Sequence, residues 1–123
     1  GKVVAQMASG IVLSDVEISP LGNRIVAKMG DSHFTLREFP TGLSICTQST
    51  PANIEAMRFS PDGRFLGTVG RSGVVRFWNG QTGETTLSFD WPVTALHSLA
   101  FDPNGFRAAA GGDEGKIIIW DLE

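Results

Sequence analysis

Two histidines, His33 and His97, one cysteine, Cys46, and a few clustered turn residues are where this chain could do chemistry. Neither histidine has a second His, a Cys or a paired carboxylate at ligand spacing, so no metal site is expected. Cys46 stands among Ser44, Ile45 and Thr47, an alternating segment in which a half-buried structural thiol is the expected role. A single cysteine excludes an internal disulfide and leaves the redox compartment open. Gly111-Gly112 has the composition of a phosphate cradle but opens no helix, which removes the physical basis for anion capture. No nucleophile, base and orienting group share a segment. The chain therefore reads as a non-enzyme with no cofactor.

The elements that must position these residues are short strands. Apolar residues make up 41% of 123 positions, and 15 glycines punctuate them. Short apolar runs between Gly and Pro turns point to an all-β protein with one core. Ten Lys and Arg are scattered against thirteen Asp and Glu, a net charge of −3, which argues against nucleic acid as the partner. No apolar run is long enough for a membrane span, and no charged-then-apolar leader reads as a signal peptide. No membrane partner is expected, and the expected location is the cytoplasm.

A repeat organises the strands. Ser60-Pro61-Asp62-Gly63 recurs 41 residues earlier as Ser19-Pro20-Leu21-Gly22 and 42 residues later as Asp102-Pro103-Asn104-Gly105. Eighteen residues beyond each start stand Arg37, Trp78 and Trp120. A period of this length holds about four short strands and outranks local reading. In the second unit these strands are Ala56 to Phe59, Phe65 to Val69, Val74 to Trp78 and Thr85 to Phe89. The first unit gives Val16 to Ile18, Arg24 to Lys28, Phe34 to Glu38 and Ser44 to Thr47. The third gives Ser98 to Phe101, Arg107 to Gly111 and Lys116 to Trp120, with no outer strand.

The motifs "FSPDG", "FDPNG", "GRSGVVRFWN" and "GGDEGKIIIWD" resemble WD repeats, the four-stranded blades of β-propellers, along essentially the whole chain. The resemblance implies three blades, at about 15–54, 55–96 and 97–123, the last completed by an outer strand from 1–7. It also implies a non-catalytic scaffold that binds a protein or peptide on the face formed by blade connections and second-to-third-strand turns. Trp91, Arg71, His33 and Asp113 are the residues that would lie there. Trp91, in "FDWPVTA", reads either as a surface anchor beside a rigid Pro or as cover over the blade junction. Trp78 and Trp120 are expected as core between blades. WD repeats often carry a buried Asp tied to a His and on to the Trp. Here Asp31, Ser72 and Glu114 occupy the Asp position and the Gly-His pair is missing, so a degenerate network is expected. Glu17 and Arg58 share a position on successive inner strands, and a structural ion pair across two blades is expected.

Three blades do not close a ring, since propellers have four to eight. Gly1 to Gln6 follows the pattern of Gly83 to Ser88, an outer strand. The reading is therefore a homo-oligomer closed head to tail by strand exchange. Lys2, Val3, Val4, Ala5 and Gln6 of one chain would cover Ile117, Ile119 and Trp120 of the next, giving six blades from two chains or nine from three. The alternative is an excised or engineered fragment of a longer propeller. An enzyme with a channel pocket, using Asp31 or Asp113, is the third reading.

Overall fold

In the first turn of every unit, a polar residue, a Pro and a Gly make the chain reverse. Gly63 has φ 73°, and its counterparts Gly22 and Gly105 have 74° and 76°, a left-handed backbone that strains any residue with a Cβ. The turn closes with Gly63 N donating to Ser60 O at 2.9 Å, while Ser60 Oγ accepts from Phe65 N at 2.9 Å. Ser19 accepts from Arg24 N at 3.1 Å and Asp102 from Arg107 N at 3.3 Å in the same way. The sequence thus writes the same corner three times.

The computed structural model describes residues 1–3, 6, 12–51, 53–90 and 95–123. They form eleven strands: β1 Leu13–Ile18, β2 Arg24–Met29, β3 His33–Glu38 and β4 Ser44–Ser49 in the first blade. The second holds β5 Ile54–Phe59, β6 Phe65–Gly70, β7 Val74–Asn79 and β8 Thr85–Asp90, and the third β9 Leu96–Phe101, β10 Arg107–Gly112 and β11 Ile117–Asp121. Each blade is an antiparallel meander in chain order, with four, four and three strands. Register repeats as well: Ile25 opposes Arg37, Leu66 opposes Trp78 and Ala108 opposes Trp120. An irregularity falls near the start of every inner strand, at Ser14/Glu17, at Ile54/Ala56 and opposite Gly111/Gly112. Such a bulge increases local twist and re-aims the residues beside it.

Alternation along each strand sends side chains to both faces of a blade. Trp78 points to blade one and packs with Phe34, ring centroids 5.0 Å apart, among Val26, Leu36, Ile54, Met57, Phe59 and Leu66. Val75 and Phe77 point the other way, into a second cluster with Leu96, Leu99, Ala108 and Ala110. The middle blade is therefore apolar on both faces and covered on both. The two outer faces are not. Val16 and Ile18 are 59% and 49% exposed, whereas Met57 and Phe59, at the same steps of the next blade, are 3% and 5%. Ile117 and Ile119 are 76% and 66% exposed, whereas their counterparts Val75 and Phe77 are 0%. Covering each such side chain is worth roughly 1.5–3 kcal/mol.

Several expectations shift. Val4 and Ala5 lie outside the described residues, and Lys2, Val3 and Gln6 belong to none of the eleven strands. The edge of β11 is left without a partner strand among the described residues. Lys116 precedes β11, and His33 heads β3 where a turn position was expected. Trp120 reaches the second core cluster, 6.1 Å from Phe77 and 5.9 Å from Phe89 between centroids, and is half-buried, with no outer strand beside β11 among the described residues. Trp91 lies outside the described residues.

The two tryptophans should therefore differ under truncation. Trp78→Ala is expected to destabilise by about 3–5 kcal/mol, the cost of a large aromatic in a packed core, and Trp120→Ala by clearly less. Urea unfolding of the two variants beside the parent chain checks the order.

A candidate partner-binding face

The second residue of β5 and the first residue after β6 meet across the blade. Glu55 is the residue left unpaired where the register shifts between Ile54 and Ala56, and Arg71 Nε donates to Glu55 Oε1 at 2.5 Å. Blade three repeats the geometry with the acid on the turn instead of the strand: His97 is left unpaired between Leu96 and Ser98, and His97 Nε2 pairs with Asp113 Oδ1. The turns are also hooked to the incoming connection, with Arg71 N donating to Asn53 O at 3.4 Å and Asp113 N to Ala95 O at 3.1 Å. Blade one has Ser14 and Gly30 at these steps, and Asp31 follows in the same turn.

Charges from the three blades feel one another. Arg71 holds the Glu55 carboxyl below the usual carboxylate range, chiefly through the hydrogen bond, and His97 and Lys28 add to it by charge. Glu55 in turn raises the Arg71 guanidinium, with Asp113 and Asp31 contributing. Asp31, Arg71 and Asp113 thus share one end of the blades, and their turns are exposed. Two of the predicted face residues, Arg71 and Asp113, sit at equivalent steps of neighbouring blades. His33 is at the same end of blade one, exposed, with Ser32 Oγ 3.4 Å from its Nδ1, and contacts neither of them in the hydrogen-bond network.

Sequence reasoning missed Glu55 and His97. Both lie 16 residues before their partners, an identical offset in two repeats, and that was the available signal. In blade two, where a degenerate Asp-His-Trp network was expected, Trp78 Nε1 donates to Thr68 Oγ1 at 3.1 Å. Ala27 and Ala110 stand where Thr68 does, so neither outer blade can repeat it. The Glu17–Arg58 pair is present: Arg58 Nη1 lies 3.6 Å from Glu17 Oε2, and Glu17 Oε1 accepts from Phe59 N at 2.9 Å. This carboxylate pins the inner strand of blade two to blade one. Cys46 is half-buried beside the first core cluster, and burial pushes its thiol up, away from thiolate reactivity. Among the described residues no three His, Cys, Asp or Glu are placed to hold a metal, and no helix is long and apolar enough to cross a membrane.

A family model described as "WD domain, G-beta repeat" matches residues 43–79 and 84–121. WD repeat-containing protein SL1-17 of Schistosoma mansoni is 33% identical over 109 residues, 88% of this chain and 36% of that protein. The crystal structure of RRP9 WD40 repeats superposes with a TM-score of 0.83 at 16% identity, over 94% of this chain and 37% of that one. The β-propeller domain of Cps50 (Swd1) from Myceliophteria thermophila gives 0.80 at 18% identity, over 98% and 38%. The chain thus spans little more than a third of the length of these relatives.

The ion pair at Glu55 carries a pH signature. A carboxyl with a depressed folded pKa contributes stability above its unfolded pKa and loses it as pH falls through the folded value. Glu55→Gln should therefore reduce the loss of Tm on acidification from about pH 5 to about pH 3. Thermal melts of parent and variant across that range check the sign.

Proposed function

Because the chain belongs to the WD domain, G-beta repeat family and has the fold of propeller blades, we propose that it is a non-catalytic interaction scaffold. Its blades are layers of a closed ring, and it presents the Arg71 and Asp113 turns to a protein or peptide. Glu55 and His97 set the orientation of those two side chains. His33 at the same end, and Trp91 in the blade connection, extend the contact surface. Neither nucleic acid nor a membrane is part of this reading, and the cytoplasm is the proposed location.

One observation carries the ring: positions buried between blades are bare at the two outer faces, at Val16 and Ile18 on one side and Ile117 and Ile119 on the other. Large contiguous apolar surface is avoided by soluble proteins unless a partner covers it. A bare β11 edge is likewise a template for strand addition. In the first reading the cover is another copy, with Lys2 to Gln6 of one chain added to β11 of the next, two chains making six blades or three making nine. Covering Ile117, Ile119, Val16 and Ile18 would contribute on the order of 10 kcal/mol per junction before the cost of association. A second reading, with the remaining blades in the same polypeptide, is favoured by coverage of 36% and 37% of the matched proteins.

Light scattering separates the readings. Self-closure predicts a mass of two or three times 13.2 kDa, and loss of that mass on deleting residues 1–6 or on introducing Ile117→Lys with Ile119→Lys. A soluble folded monomer at micromolar concentration excludes self-closure. Unbounded aggregation that ends when further blades are fused to the chain supports the second reading. Arg71→Ala with Asp113→Ala should leave mass and Tm nearly unchanged and weaken only partner binding.

A further inference from the structure

A cavity of about 210 Å³, counted out to its mouth, opens where blade two meets the connection from blade one. Thr68, Ser72 and Arg76 line it from blade two, and Thr50, Pro51 and Asn53 from the connection. Its enclosed end admits a group of about the size of one water molecule.

Among the polar residues that line it, Arg76, Thr68 and Ser72 offer donors. Arg76 Nε is buried and has no hydrogen-bond partner among the described residues, and none of the ion pairs there includes Arg76. The guanidinium is held 5.9 Å from the centre of the fully buried Trp78 ring, which limits its freedom to swing out to water. Thr68 Oγ1 already accepts from Trp78 Nε1, so its own hydrogen is free to turn to the cavity. Ser72 Oγ accepts from Val74 N at 3.4 Å and likewise keeps its hydrogen. A second cation stands behind the wall: Lys28 Nζ donates to the carbonyl of the lining residue Ile54 at 3.0 Å. Its nearest carboxylate, Asp15, is 3.9 Å away and largely exposed, and so compensates it weakly. One guanidinium N–H and two hydroxyl donors thus line the space, and no carboxylate is among its lining residues.

We propose that this cavity is a carboxylate-binding subsite, filled by an acidic side chain of the partner held on the Arg71 face. A planar head with two oxygens matches the edge of a guanidinium, and the narrow end favours one oxygen over a tetrahedral phosphate. Gly70 and Ser72 belong to the turn that carries Arg71, so a partner on that face reaches the mouth. The anion chemistry stands on the donors alone. Only the source of the carboxylate rests on the scaffold reading.

The test follows the Arg76 Nε–H and Ser72 amide signals of the ¹⁵N-labelled full chain at constant ionic strength in chloride. Sodium acetate is titrated first, then a capped tripeptide with a central glutamate, then the same peptide with glutamine. Saturable shifts with acetate and the glutamate peptide, but not the glutamine peptide, are expected. Arg76→Met should weaken both about tenfold or more, the loss of one charged hydrogen bond. Ser72→Asp, at an exposed turn position, supplies an internal carboxylate; it should abolish acetate binding and raise Tm. Signals unmoved by acetate and peptide alike, or moved equally in Arg76→Met, overturn the site. Acetate binding without peptide binding overturns the partner side chain as its source. Neither result depends on the mass in solution, so failure here is distinct from failure of the ring.

Discussion

Each blade is a sheet with two apolar faces, and that constraint governs the rest of the molecule. A sheet of this kind is stable only as an inner layer, because successive residues of every strand point to opposite sides. In β7, Val75 and Phe77 enter one core cluster while Trp78 enters the other. Neighbouring blades are therefore the hydrophobic core of one another, and no blade owns a core by itself. The faces are spent on stacking, so recognition falls to the ends, where turns and connections emerge. Arg71 and Asp113 are available to a partner for the same reason that Phe77 is not.

The frame and the variable part of the repeat separate cleanly at the second residue of the inner strand. Backbone pairing there is equivalent in blades two and three, yet one blade places Glu against Arg and the other His against Asp. Contact geometry is kept while polarity is exchanged. The same positions thus give each blade its own charge without disturbing the layer beneath.

Most of the fold was legible because its determinants are local: a Pro-Gly corner, β-branched runs and a fixed period name strands without reference to anything distant. What escaped depends on neighbours in space. The pairing of Glu55 and His97 with turn residues 16 positions on has no local signature and emerges only in the folded blades. Trp120 carries the same motif as Trp78 but lacks an adjacent outer strand among the described residues, so equal spelling gives unequal burial. Arg37, where the other units have Trp, belongs to the exposed side of blade one and hydrogen-bonds Gly42 O at 3.1 Å instead of packing in a core. The cavity beside Arg76 had no sequence signal, since its residues come from a connection, a turn and three strands.

Stacking of layers has a consequence for how the molecule opens. Among the described residues the main contacts between blades join neighbours, so stability is a sum of blade and junction contributions in a line. A terminal blade can detach by breaking one junction, whereas the middle blade must break two. Amide protons of β6 and β7 should exchange slowest, those of β1 and β11 fastest, with fluctuations spreading inward from either end. Protease nicking would begin in the outer layers for the same reason. Burying Val16 and Ile117 would convert this gradient into uniform protection, so the exchange profile itself reports whether the stack has been closed.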